Sequence, residues 1–240
     1  MLRRVVTTSP GRADLHLHTT CSDGRATPAQ LARRLARGDL AVVAVTDHDA
    51  VEGALRVREA LAGRGPEVVI GTEVSTADGH VLALFVDRDI EPGLGARETV
   101  RIIHDRGGLA IAAHPYFPMH SVGDLAVWLP FDAIEVANGT PLGELGNLRA
   151  ARRLGPRARA VVGGSDAHVL PAVGHVRTHF PGRTAADLRA AIEMGLTSAD
   201  FDWDTHLLTG PAQLLRIAMG VRRDLSRRHR PEPRAQKPAA

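Results

Sequence analysis

The stretch Leu40-Ala41-Val42-Val43-Ala44-Val45 constrains the fold more than any other, because six consecutive apolar residues run straight into Thr46-Asp47-His48-Asp49. An apolar run of strand length without alternation suits a parallel strand covered on both faces. α/β folds place their sites at the C-terminal ends of such strands. The arrangement recurs along the chain without sequence repetition. A strand over Glu67–Ile70 leads to Gly71-Thr72-Glu73, and His80 precedes a strand over Val81–Val86. Leu109–Ala113 ends in His114-Pro115, Phe131–Val136 carries Glu135 and stops before Asn138, and Ala158–Val162 runs into Gly163-Gly164-Ser165-Asp166-Ala167-His168.

Helical segments fall between these strands. Thr27-Pro28 supplies an N-cap and a proline at the first helical position, and Gly38 supplies a stop. Further helices are expected over Val51–Ala62, Gly95–Arg106, Pro141–Leu154 and Thr184–Gly195. With the strand at Ala13–Leu17, about seven strands and their helices predict a barrel-like α/β fold rather than a sandwich.

That first strand carries the densest chemistry. Alternation places Leu15 and Leu17 on one face and Asp14, His16 and His18 on the other, with Asp23 in the turn that follows. Chance alone produces roughly 0.6 His-x-His pairs in a chain of this histidine content, so the pair needs further ligands to mean a metal. His48, Glu73, His114, Asp166 and His168 supply them, each near the C-terminal end of a predicted buried strand. A barrel brings those ends to one mouth, where imidazole and carboxylate together suit divalent ions.

The series Asp14-x-His16-x-His18-x-x-x-Ser22-Asp23-Gly24, Thr46-Asp47-His48-Asp49, Gly71-Thr72-Glu73, Asp78-Gly79-His80, Ala113-His114-Pro115 and Gly164-Ser165-Asp166-Ala167-His168 resembles the PHP (polymerase and histidinol phosphatase) family of metal-dependent phosphoesterases, from about Ala13 to Thr178. The resemblance implies a distorted (β/α)7 TIM-like barrel with two or three divalent ions (Mn, Zn or Fe) at the C-terminal mouth. It implies one ion held by His16, His18, Glu73 and Asp166, a second by Glu73, His80 and His114 with Glu73 bridging, and a third by Asp23, His48 and His168. The reaction implied is hydrolysis of a small phosphomonoester, nucleotide or short oligonucleotide through a metal-bound hydroxide, with no protein nucleophile. Family members acting on nucleoside bisphosphates typically carry an inserted domain between the positions of His80 and His114. Only 33 residues lie between them here, which predicts a compact, open mouth.

Other residues receive supporting roles. Arg177 and Tyr116 are candidates for substrate binding, Arg177 because a guanidinium grips phosphate bidentately. Asp47 and Asp49 are expected in the turn or as acceptors orienting imidazoles, and Glu135 and Asn138 as mouth-lining or strand-capping groups. His104, His120, His175, His179, His206 and His229 have no convergent partners in the sequence and are expected in packing or surface roles. Cys21 reads as a small packing residue.

Charge distribution raises one competing function. Seven basic residues against Asp224 and Glu232 make residues 222–240 a +5 tail, which leaves residues 1–221 at −2 of the chain's formal +3. The expected division is therefore a single barrel domain over 1–221 and an Arg/Pro-rich disordered tail over 222–240, with an amphipathic helix at Gly210–Val221. The tail supports an alternative reading as a nucleic-acid-binding or polymerase-associated module with little hydrolytic activity. A single cysteine, no apolar stretch of membrane-spanning length and no secretory leader predict a cytoplasmic protein.

Overall fold

A computed structural model describes residues 10–202. One nine-stranded sheet organises them, in the order β7-β6-β5-β4-β3-β2-β1-β8-β9. Its strands are β1 (Gly11–Asp14), β2 (Val42–Val45), β3 (Glu67–Thr76), β4 (Gly79–Leu84), β5 (Leu109–Ala112), β6 (Ala133–Asn138), β7 (Val161–Gly164), β8 (Val176–Phe180) and β9 (Ser198–Phe201). The helices are α1 (Pro28–Leu35), α2 (Glu52–Leu61), α3 (Ala96–Asp105), α4 (Glu144–Arg153) and α5 (Ala185–Met194).

β1, β2 and β3 are parallel, β4 is reversed between β3 and β5, and β5, β6 and β7 are parallel again. Beyond the ends of β1 and β7 the chain pairs once more through a parallel bridge between Leu17 and Ala167. That bridge draws β1 to β7, so the seven expected strands form a distorted, nearly closed barrel. β8 lies antiparallel on the lower part of β1, with β9 on its outer edge.

Burial follows the period of two. Val42 and Ala44 face an interior cluster with Leu15, Leu82, Ile111 and Val162, while Val43 and Val45 face outward onto Leu31, Leu35 and Val57 of α1 and α2. Both faces of β2 are covered, which explains its unbroken apolar sequence. Leu188, Ala191 and Ile192 of α5 join the interior cluster, so α5 packs against the barrel's contents. A side-chain truncation such as Val57→Ala or Leu31→Ala removes a fully buried group and is expected to destabilise by about 2–4 kcal/mol.

Capping is local and legible. Thr27 and Thr184 each form a capping box, with Gln30 and Asp187 respectively, and the left-handed Gly195 closes α5. Several boundaries differ from expectation. β3 continues past Ile70 to Thr76 because Gly71–Thr76 pairs residue by residue with Gly79–Leu84, forming a hairpin. Glu73 therefore stands within a strand rather than after one. α4 begins at Glu144, the preceding Leu142 having φ of 71° in a turn. β8 and β9 were not expected at all. The Gly210–Val221 helix and the 222–240 tail lie outside the described residues.

Candidate metal centre

Continuation of β1 past Asp14 sets the first part of the site. Leu17 is held between strands by its bridge to Ala167 and by Thr46 N–H donating to its carbonyl at 2.8 Å. Alternation then sends the flanking His16 and His18 into the mouth, where both are buried. Glu73 rises from the β3 side of the hairpin to meet them. Its Oε2 lies 3.2 Å from His16 Nε2, 3.3 Å from His18 Nε2 and 3.4 Å from His48 Nδ1. Its Oε1 lies 2.8 Å from His80 Nδ1 and 3.0 Å from His114 Nε2. One buried carboxylate thus stands among five imidazoles from four segments of chain.

Two ligand positions require unusual backbone. His114 has φ of 27° and Asp166 φ of 48°, both in the left-handed region that non-glycine residues seldom occupy. Such conformations persist where surrounding structure over-determines them, and they cluster at functional sites. Asp166 Oδ1 reaches 3.1 Å from His18 Nε2, and its Oδ2 accepts the Thr140 hydroxyl.

A second group lies toward solvent. Asp23 Oδ1 is 3.2 Å from His168 Nε2, 3.6 Å from His18 Nδ1 and 3.9 Å from His48 Nε2, and the His18 and His168 rings stack at 4.1 Å. The turn carrying Asp23 is fastened by Asp47, which accepts from Thr19 N–H (2.7 Å), the Thr19 hydroxyl (2.7 Å) and the Ser22 hydroxyl (2.6 Å). Gly53 permits this arrangement, since a Cβ there would fall 1.8 Å from Asp47 Oδ2.

Electrostatics show how far the mouth is built for cations. Burial raises the Glu73 carboxyl, but the surrounding imidazoles of His80, His16 and His48 outweigh it and hold the group well below the usual range. Burial lowers the His18 imidazole, yet Asp166, Glu73 and Asp23 push it up to about 10. His48, by contrast, is depressed to about 4, chiefly by burial.

The decisive observation is what these atoms lack. Among the described residues, six buried side-chain atoms have no hydrogen-bond partner: His16 Nε2, His18 Nε2, His48 Nδ1, His80 Nδ1, His114 Nδ1 and Asp166 Oδ1. Buried polar atoms are otherwise almost always paired. All six belong to the expected ligand set, and the ligand atoms fall into groups lying within 4.8 Å of one another: His18, Asp23, His48 and His168; His16, His114 and Asp166; His16, His18 and Glu73; and His48, Glu73 and His80. Ligands at about 2.0–2.2 Å from a common ion stand no more than about 4.4 Å apart, inside that limit. The donor set fits divalent ions of intermediate character.

A PHP domain is matched over residues 14–162, and a PHP-associated region over residues 144–197. The chain belongs to the PHP family. An uncharacterized protein of Methanocaldococcus jannaschii is 37% identical over 139 residues, 53% of this chain and 81% of that protein. The 3′,5′-nucleoside bisphosphate phosphatase of Chromobacterium violaceum is 39% identical over 87 residues, 35% of this chain and 30% of that enzyme. The 5′-3′ exoribonuclease Rnm of Escherichia coli is 35% identical over 80 residues, 31% of this chain and 27% of the enzyme. The chain thus spans less than a third of these two named enzymes. Among solved structures, PsfC of Pseudomonas syringae superposes with a TM-score of 0.66 at 23% identity, over 88% of this chain and all of that one. A two-domain protein of Bacteroides vulgatus containing a predicted PHP-like metal-dependent phosphoesterase gives 0.65 at 20% identity, over 80% and 65%. These likenesses support the fold.

Within this PHP site all nine predicted ligands converge, but the partition differs from expectation at His114, which faces Glu73 yet groups with His16 and Asp166, and at His48. His48 presents Nδ1 toward Glu73 and Nε2 toward Asp23, and so adjoins two groups rather than one. Arg177 is placed elsewhere. It points outward from β8, donates through Nε to the Gly174 carbonyl at 2.6 Å, and borders a cleft with Arg34, Gly38, Asp39 and Leu40 at the N-terminal end of β2. Arg177 thus faces the outside of the barrel beside α1 and the approach to β2, since the odd positions of β8 face out and its neighbour Thr178 pairs with Ala13. Tyr116 lies beside the mouth, but its hydroxyl donates to Asp124 and its ring carries the Arg149 guanidinium at 4.1 Å.

Asp47 and Asp49 do not orient imidazoles. Asp47 clasps the Thr19–Ser22 turn, and Asp49 accepts from Ser75 N–H at 2.7 Å. Imidazole orientation falls to Glu135, whose Oε1 accepts from His16 Nδ1 at 3.1 Å. His120 also has a place unforeseen in the sequence, its ring stacked on His80 at 5.0 Å and its carbonyl accepting from His80 N–H. The signal for Glu135 is a lone carboxylate inside the otherwise apolar Ala133-Ile134-Glu135-Val136-Ala137 strand.

Proposed function

We propose that the chain is a divalent-metal-dependent phosphoesterase that hydrolyses a small phosphomonoester, a nucleotide or a short oligonucleotide at the barrel mouth. The observation that carries this reading is the set of six unpartnered buried atoms on the expected ligands, gathered around Glu73. His16, His18, Glu73 and Asp166 would hold one ion, Glu73, His80 and His114 a second, and Asp23, His48 and His168 a third, with manganese, zinc or iron compatible with the donors. When bound, such ions supply Lewis acidity toward water and toward phosphate oxygens.

The chain's own residues define what reaches them. Glu73 offers one oxygen to each of two neighbouring groups, which is the disposition of a bridging carboxylate. Asp47 holds Asp23 over His48 and His168 by fastening the preceding turn. Between His80 and His114 the chain forms only the rest of β4, α3 and β5, so no inserted domain covers the mouth. An open mouth admits substrates with differing leaving groups.

Similarity to enzymes named phosphatase and exoribonuclease supports phosphoester hydrolysis over a purely binding role. The complete ligand set supports it further, because a binding module has no need of nine converging metal-binding groups. The basic 222–240 segment would then be an appendage to a single barrel domain over 1–221. No helix among the described residues is long and apolar enough to cross a membrane, and the single cysteine suits the cytoplasm.

The test combines metal analysis with a substrate panel. Purified protein loaded with Mn²⁺ or Zn²⁺ is expected to carry two or three ions per chain and to release phosphate from phosphomonoesters, nucleoside bisphosphates or short oligonucleotides. A protein that takes up neither ion refutes the reading. Deleting 222–240 should leave hydrolysis intact, and a collapse of oligonucleotide affinity and its salt slope without loss of turnover assigns the tail to binding alone.

A further inference from the structure

Glu135 lies outside the ligand set and bonds to two of its members from different strands. It stands in the middle of β6 and is 1% exposed. Oε1 accepts from His16 Nδ1 at 3.1 Å, and Oε2 accepts the His114 backbone N–H at 2.8 Å. Oε2 also accepts from Asn138 Nδ2 at 2.9 Å, and the same amide group approaches Asp166 Oδ2 at 3.4 Å. One carboxylate on β6 therefore touches a ligand following β1 and another following β5, and reaches a third following β7 through Asn138.

We propose that Glu135 is the positioning residue that sets the tautomer of His16 and couples the His16 and His114 ligand groups, an inference that rests on the metal reading above. A neutral imidazole that donates from Nδ1 keeps its lone pair on Nε2. Nε2 is the His16 nitrogen that faces Glu73 and Asp166 without a hydrogen-bond partner. Glu135 thus leaves free the one nitrogen that points at the common centre.

The contact to His114 acts on the backbone instead. With φ of 27°, His114 adopts a conformation that an unsupported histidine seldom holds. Its amide N–H, turned away from the strand ladder, finds its acceptor in Glu135. Sequence makes room for this. A Cβ at Gly164 would stand 2.5 Å from His16 Cβ and 2.8 Å from Glu135 Oε1, so only glycine lets β7 pass the pair.

Charge completes the argument. A buried carboxylate needs its oxygens satisfied. Among the described residues no arginine or lysine approaches Glu135, whose oxygens take N–H donors from His16, His114 and Asn138. A carboxylate in this position raises the basicity of the imidazole it holds, and with it the affinity for an ion on the far nitrogen.

Glu135→Gln separates positioning from shape. A glutamine fills the same volume but keeps only one acceptor oxygen, so it serves either His16 Nδ1–H or His114 N–H and faces the other with an NH2 donor. Wild type, Glu135→Gln and Glu135→Ala are titrated with Mn²⁺ and Zn²⁺, with bound ions counted and folding checked by thermal melting. In parallel, long-range ¹H–¹⁵N spectra of the metal-free proteins, taken at a pH high enough to leave the imidazole neutral, report the His16 tautomer, its signal assigned by loss in His16→Gln. The expected result is a folded Glu135→Gln protein with affinity lowered about 10–100-fold for the ions held by His16 and His114, intact affinity at the Asp23 group, and a mixed His16 tautomer in place of a single Nδ1–H form. Unchanged affinities in Glu135→Gln overturn the proposal, as does a wild-type His16 carrying its proton on Nε2. Wild type that binds no ion refutes the metal reading itself, and the tautomer spectrum still decides whether Glu135 sets His16. Should Glu135→Ala fail to fold, Glu135→Gln carries the test.

Discussion

Replacing Glu73 by glutamine removes the charge at the centre of the site while keeping its shape. Oε1 faces His80 and His114 at 2.8 and 3.0 Å, and Oε2 faces His16, His18 and His48 at 3.2, 3.3 and 3.4 Å. A glutamine turns one of these oxygens into an amide without a lone pair, so whichever way it lies, one of the two groups loses its oxygen ligand. Two unit charges about 4 Å apart interact by about 4 kcal/mol at an effective dielectric of about 20, and a divalent ion doubles that figure before desolvation opposes it. A net loss of about 2.7 kcal/mol is therefore a lower bound, which corresponds to ~100-fold in rate. The assay is turnover of whichever phosphoester the panel reveals, with metal content by elemental analysis and a melting curve on the same preparation. The expected outcome is a folded variant with at least one ion fewer per chain and hydrolysis reduced more than ~100-fold. Near-normal turnover with a full metal complement would refute the bridging role of Glu73.

Other outcomes follow from the same structure. Gly53→Ala puts a Cβ against Asp47 Oδ2 at 1.8 Å and Thr19 Oγ1 at 2.8 Å; it should destabilise by about 1–3 kcal/mol and weaken the ion nearest Asp23, seen by melting and metal titration. Saturating Mn²⁺ or Zn²⁺ at about 100 times its Kd should add about 2.7 kcal/mol of stability, raising Tm by ~5–10 °C for a chain of this size, and a chelator should reverse the shift in calorimetry. Arg177→Ala should leave metal content, KM and kcat unchanged, since Arg177 borders a cleft on the outside of the barrel; a raised KM would return it to the mouth. Thr184→Ala removes the capping box of α5 and should lower stability by about 1 kcal/mol in chemical denaturation.

Sequence alone determined the strands and ligands whose signals are local. β2 is legible because a strand buried on both faces has to be apolar throughout, and α1 and α5 because Thr27 and Thr184 announce their caps within four residues. The nine candidate ligands are legible because most sit beside the end of a strand and the motifs together are far more specific than any one. Tertiary structure decided the rest. Whether β3 stops at Ile70 or carries Glu73 upward depends on its pairing with β4, a contact that only the folded hairpin makes. Arg177 lies nine residues past His168, yet its place on the outward face of β8 turns it away from the mouth toward Gly38, Asp39 and Leu40. Glu135 and His16 are separated by 119 positions and meet through the parallel placement of β6, β7 and β1. Residue types and their spacing single out the groups suited to an ion, but the acceptor on an imidazole's second nitrogen comes from whichever strand the barrel brings alongside.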